Sequence, residues 1–285
     1  MVIGVIPNLD KRGSAQTLEN LGLFLKQNNI KALLPDSICC SYFEQINEEQ
    51  LFKTADFIVT IGGDGTIIRY AKIAATYNKP ILGINAGRMG YLANLEQNEY
   101  KNILKLINGD YIVEERMMLN VKICQNEKVM SEYEALNDAV VTSGFIARII
   151  DVNASVDGDS ISYRADGIIA ATPTGSTAYS MSAGGPIIDP TAECICLTPI
   201  CSHSLSAKPI ILSGEKSVKL TAFSRKRTEI FLSIDGRKVA NIKPYTEVII
   251  EKSSKKVKLL RLSERSLYNT LSVKFSDLRS GSSEK

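Results

Sequence analysis

Three stretches of this chain carry residue types whose spacing suits chemistry rather than packing. The first is Gly62-Gly63-Asp64-Gly65-Thr66. Its glycines allow a tight turn and a close backbone approach to a ligand. If a helix follows, its first N–H groups favour phosphate. Asp64 is the odd member, because a carboxylate repels phosphate. It has two uses in such a place: to hold Mg²⁺, or to accept a proton from an attacking hydroxyl. A solvated Asp-Gly turn is the plainer alternative. The second stretch runs from Ala165 to Pro186 and is dominated by small and hydroxyl residues, with Tyr179 among them. It offers neutral hydrogen-bond donors and a flat aromatic face to a ribose or base. It reads equally well as a tightly packed helix start capped by Ser or Thr. The third is Asn137-Asp138, an amide beside a carboxylate that could clamp ribose hydroxyls. Residue chemistry alone favours a turn there.

The elements that must position these groups fall into two textures. Val2 to Pro7, Ile30 to Leu34, Asp56 to Ile61 and Ile81 to Ile84 are short apolar runs that read as strands. Helices are expected between them: one capped by Ser14 with Leu18, Leu21 and Leu25 on its apolar face, another from about Thr66 to Tyr77. This βαβ rhythm predicts a mostly parallel sheet covered by helices, over residues 1–113. From Glu114 to Lys258 the pattern turns to short alternating runs separated by Asp157-Gly158-Asp159 and Asp235-Gly236, which predicts a β-rich second domain. The tail, 259–285, is expected to be an arm packing back on the first domain. The fold class is therefore an α/β domain joined to an all-β domain.

The chain has 285 residues, enough for two domains, and a net charge of +3, too small to argue for nucleic acid or a membrane surface. No apolar run approaches the roughly 18 residues of a spanning helix, and the start lacks a signal-peptide pattern, so a cytoplasmic enzyme is expected. Cys194, Cys196, Cys201 and His203 cluster without a C-x-x-C pair. The plain reading is buried thiols on alternating strand positions, with a metal site as the alternative. No other protein metal site suggests itself.

These boxes together resemble the NAD kinase family. Gly62 to Thr66, Asn137-Asp138, Asp166-Gly167 through Thr172-Pro173-Thr174-Gly175-Ser176-Thr177-Ala178-Tyr179 to Pro186, Thr198-Pro199-Ile200 with His203-x-Leu205, and Ile234-Asp235-Gly236 stand in the family's order. G-G-D-G-T is shared with lipid kinases; the long box is specific. The resemblance implies that Asp64 is the general base for a ribose hydroxyl, with Gly65 and Arg69 beside it near phosphate. It implies that Asn137 and Asp138 hold the adenosine portion of NAD. Arg148, Arg164, Asp166, Thr177, Ala178, Tyr179, Ser180, Met181, Ser182 and Asn241 would line the dinucleotide site. It further implies ATP or polyphosphate as donor, Mg²⁺ or another divalent metal with the donor, and a homodimer or homotetramer. Cys201, Lys208 and Met89 depart from common family residues. Lys208 keeps charge but gives up a planar fork. A lipid kinase, or a sensor that binds NAD(P) without turnover, are the rival readings.

Overall fold

The computed structural model describes residues 1–87, 90–144, 149–204, 206–225, 229–244, 246–263 and 267–280, with side chains of the last helix described to residue 276. It divides into two compact units: residues 1–115 with 257–285, and residues 116–256.

The first unit begins β1 (Val2–Pro7), α1 (Ser14–Gln27), β2 (Lys31–Pro35), β3 (Glu44–Ile46), α2 (Glu48–Thr54), β4 (Phe57–Gly62), α3 (Asp64–Thr76) and β5 (Ile81–Asn85). A short β6 (Leu95–Glu96), a 3₁₀ turn (Gln97–Ile103) and α4 (Leu104–Asn108) follow. The strands lie in the order β3-β2-β1-β4-β5, all parallel. Apart from β3, whose Glu44 and Gln45 are exposed, they read as apolar runs because helices cover both faces, leaving β5 wholly buried. The order reverses between β1 and β4, the place where open parallel sheets bind ligands. Asn8 leaves β1 there and Gly62-Gly63 leaves β4. Leu18, Leu21 and Leu25 are buried as their spacing predicts. The capping role expected of Ser14 is not seen. Gly13 is the N-cap, in the left-handed region at φ 84°, and the Ser14 hydroxyl is buried, donating to the Ile61 carbonyl at 3.4 Å.

The second unit takes up β7 (Ile112–Gln125), β8 (Lys128–Ala135), β9 (Asp138–Ser143), β10 (Ile150–Val156), β11 (Asp159–Ala165) and β12 (Gly167–Ala171). A 3₁₀ turn (Gly175–Thr177) and α5 (Tyr179–Ser182) precede β13 (Cys194–Ile200), β14 (Ile210–Ser213), β15 (Val218–Phe223), β16 (Ile230–Ile234), β17 (Arg237–Ile242) and β18 (Glu247–Arg261). One antiparallel sheet runs β14-β13-β12-β9-β16-β17. Another joins β11, β10, β15 and the start of β18, also antiparallel. Residues of both sheets share one core, including Val141, Ile168, Val152 and Leu220. The other face of β12 is covered too: Ile169 and Ala171 pack with Ile188 and Cys196. The end of β18 belongs to the first unit, where Leu259 pairs with Ile81 in parallel, and α6 (Leu267–Ser280) follows.

Candidate functional site

In the first unit, β4 runs straight into α3. Gly62 has no room for a side chain, since a Cβ would lie 2.3 Å from the Thr66 hydroxyl. Around Gly63 and Gly65 there is open space, and Gly65 is exposed. Asp64 is the first residue of α3, two positions earlier than the expected start, so its charge sits favourably at the helix N-terminus. Its carboxylate is half-buried and engaged. Oδ2 accepts the Tyr91 N–H at 2.6 Å, and Oδ1 accepts those of Leu92 and Ala93 at 3.1 and 3.3 Å. The Asp64 charge, after burial, raises the Tyr91 hydroxyl above its usual range. Arg69 is exposed one helical turn on, with its guanidinium 5.2 Å from the Tyr70 ring centre. Asn8 donates to the Thr66 hydroxyl at 3.3 Å, tying the end of β1 to this turn.

In the second unit, Asn137, Asp138, Ala178 and Tyr179 line one pocket of about 400 Å³ with Val140, Thr142, Ser233, Asp235 and Gly236. Next to it, backbone packs against backbone. The Asn137 carbonyl accepts the Thr172 N–H at 2.8 Å, and a Cβ on Gly175 would meet that same oxygen at 2.0 Å. Asn137 Oδ1 is buried and has no partner among the described residues. A buried acceptor in this condition calls for an explanation such as a ligand or water. Tyr179 is 46% exposed at the pocket's edge. Burial chiefly, then Cys201, Asp166 and Asp138 nearby, raises its hydroxyl. Asp138 is 4% exposed, and burial together with the Asp235 carboxylate pushes its carboxyl up to about 7.

The hydroxyls of the long box are mostly turned inward. Thr172 donates to the Leu136 carbonyl at 2.6 Å, Ser176 to the Pro173 carbonyl at 2.7 Å, and Ser180 pairs with Thr198 at 2.9 Å. Ser180 is thus buried on Thr198 and does not line the pocket that holds Tyr179. Thr177 is half-buried and reaches the Thr174 carbonyl at 3.3 Å, Met181 is half-buried and Ser182 exposed. Asp166 contributes backbone: its carbonyl accepts from the Thr142 hydroxyl and the Ser143 N–H. Arg164 and Asn241 lie elsewhere in this unit, lining two clefts that share Ala222, Phe223 and Pro244. Arg148 falls outside the described residues. Cys194 and Cys196 are buried on β13, while Cys201 is exposed. Among the described residues no group of three or more His, Cys, Asp or Glu gathers to hold a metal ion.

Sequence reasoning missed Asp235 as a site residue. It sits at φ 47° between β16 and β17 and accepts the N–H groups of Leu136, Asn137 and Asp138 at 3.1, 2.8 and 3.2 Å. By residue chemistry the Asp-Gly pair after an alternating strand reads as a hairpin turn, and the resemblance counts Ile234-Asp235-Gly236 among the family's boxes without giving Asp235 a role.

The protein-family models for the ATP-NAD kinase N-terminal domain and C-terminal domain match residues 3–111 and 136–262. The chain belongs to the NAD kinase family. A protein named NAD kinase from Natranaerobius thermophilus is 35% identical over 277 residues, 95% of this chain and 96% of its own. Another so named, from Thermoanaerobacter sp. strain X514, is 33% identical over 280 residues, covering 96% and 99%. Among solved structures, an NAD kinase from Archaeoglobus fulgidus in complex with ATP superposes with a TM-score of 0.71 at 29% identity, covering 98% of this chain and 99% of that one. Yeast NADH kinase complexed with NADH shares the fold, with a TM-score of 0.83 at 22% identity over 95% and 86%. The NAD kinase family thus accounts for both units: α/β first, antiparallel β second.

Proposed function

We propose that this chain transfers the γ-phosphate of ATP to the 2′-hydroxyl on the adenosine ribose of NAD, giving NADP and ADP. The observation that carries the reading is the match to proteins named NAD kinase over nearly the whole length, with the Gly62–Thr66 box at the switch point of the parallel sheet. In this reading the ribose 2′-oxygen attacks the γ-phosphorus while its proton passes to Asp64. The new O–P bond forms as the bond to the ADP oxygen breaks, and ADP leaves with that electron pair. The amides of the first turn of α3, with Gly63 and Gly65 giving open approach, offset phosphate charge. Arg69 adds positive charge one turn along. Asn137, Asp138 and Tyr179 hold the adenosine portion. Because the Asp138 carboxyl is poised near neutrality, it can donate as well as accept a hydrogen bond. Little covalent work falls to the protein, so positioning and electrostatics supply most of the rate.

A divalent cation, Mg²⁺ by family resemblance, would come with the donor's phosphates as part of the substrate. The described residues gather no cage for a resident ion. By the same resemblance the chain works as a homodimer or homotetramer; the cytoplasm is its proposed location. No helix among the described residues is long and apolar enough to cross a membrane.

A coupled assay tests the reading. Purified protein is mixed with NAD, ATP and Mg²⁺, and NADP is detected with an NADP-specific dehydrogenase. NADP formation is expected. Folded protein that makes none, with polyphosphate also tried as donor, would remove the proposal; phosphorylation of diacylglycerol in its place would point to a lipid kinase.

A further inference from the structure

An ionised carboxylate has about four lone-pair sites for hydrogen bonds. Asp64 gives two on Oδ1 to Leu92 and Ala93, and one on Oδ2 to Tyr91. Among the described residues one site remains, on Oδ2. We propose that the segment Gly90–Asn94 is the positioning element of Asp64, that the C-terminal arm holds this segment in place, and that the substrate hydroxyl meets Oδ2. The proposal rests on the reading of Asp64 as the base.

Three features of the first unit support it. Gly90 lies against the carboxylate so closely that a Cβ there would be 2.0 Å from Oδ1 and 2.4 Å from Cγ. Any side chain at 90 must push the carboxylate out of its amide cradle. Next, the Tyr91 ring is covered by Lys274 of α6, whose ammonium lies 4.1 Å from the ring centre. A cation over an aromatic face is attracted to it, and Tyr91 supplies the shortest hydrogen bond to Asp64. Last, Asn94 is 4% exposed and bolts the far end of the segment. Its Oδ1 accepts the N–H groups of Leu262 and Ser263 at 2.7 and 3.2 Å, and its own N–H donates to the Gly83 carbonyl at 3.1 Å. Both anchors, Lys274 and the 262–263 backbone, come from the arm after β18. The arm therefore acts on the base through the segment it grips.

The test is a double-variant cycle on kcat with Gly90→Ala and Asp64→Asn, with NAD affinity by calorimetry and Tm read alongside. A shift of about 1 Å in a reacting group can cost on the order of 10²-fold, so Gly90→Ala should lose roughly 10-fold or more in kcat with NAD affinity kept. The double variant should be no slower than Asp64→Asn alone, because both act on one group. Losses that multiply, or wild-type kcat in folded Gly90→Ala, overturn the positioning proposal and leave the base reading standing. Full kcat in Asp64→Asn removes the base reading, and the proposal with it. Lys274→Ala decides the matter should Gly90→Ala not fold: roughly a 3-fold loss in kcat is expected, as for an exposed cation–π contact, with recovery in Lys274→Arg. Unchanged kcat in Lys274→Ala would overturn the role of the arm.

Discussion

Gly90 in the first unit and Gly175 in the second each leave no room for a Cβ, which would stand 2.0 Å from an oxygen. At Gly90 the oxygen is the end of the Asp64 side chain. At Gly175 it is the backbone carbonyl of Asn137. The same difference runs through the aspartates nearby. Asp64 and Asp235 each accept three consecutive backbone N–H groups. Around Asp64 a loop comes to a carboxylate fixed at a helix start, so the amides orient the acid. Around Asp235 a carboxylate on a hairpin comes to the 136–138 backbone, so the acid orients the amides. The first arrangement can yield by moving a side chain, the second only by moving backbone. Alike on paper, one tight glycine should report on rate and the other on folding.

The largest effect that sharpens this contrast is expected from Gly175→Ala. Overpacking typically costs about 1–3 kcal/mol, occasionally more, and two main chains in contact have nowhere to go. We expect destabilisation at or above the upper end of that range, seen as a large fall in Tm. A Tm equal to that of the wild type would break the comparison. Next comes Asp235→Ala. It strips the acceptor from three amides, and a buried group left unsatisfied costs about 1–3 kcal/mol. Stability should fall, and the KM for NAD should rise on the order of 10-fold, with kcat changed far less. A loss confined to kcat would place Asp235 in the chemistry instead.

The smallest effect concerns pH. Asp138 is raised from 3.8 to about 7 by burial and by Asp235. The folded protein then keeps a proton that the unfolded chain gives up. The stability this contributes is complete below about pH 4 and is lost as the pH rises toward 7. Asp138→Asn has no proton to lose. The Tm of the wild type relative to this variant should therefore drop between pH 5 and pH 7. Parallel Tm curves would contradict the shift.

The two regions were unequally legible in the sequence. An apolar run ending in Gly62-Gly63 and followed by a helix start is a local pattern, and the strand, turn and helix stand within two residues of where it predicts. Glu44 to Thr54 carries no clear sequence pattern, although Asn47 before Glu48 and Glu49 is a good helix start and caps α2 through the Glu49 N–H at 3.0 Å. Length hid it: three strand residues and seven helical ones give little periodicity. In the box from 166 to 186 the density of hydroxyls was visible, but not which way they face. Thr172, Ser176 and Ser180 hold the turn from inside, and no alternation announces that. What escaped altogether was long-range. Gly90 against Asp64, Asp235 under Asn137 and Asn94 gripping Leu262 join positions 26 or more residues apart, and their types look ordinary in isolation.

The central claim is that Asp64 is held for its own chemistry. Its most direct test is single-turnover transfer from ATP to NAD by the wild type and by Asp64→Asn, with NAD affinity measured in the same samples. The account predicts that the variant binds NAD as the wild type does and loses on the order of 10²–10⁴ in rate, the usual loss of a positioned base. A folded variant that transfers phosphate at the wild-type rate would contradict it.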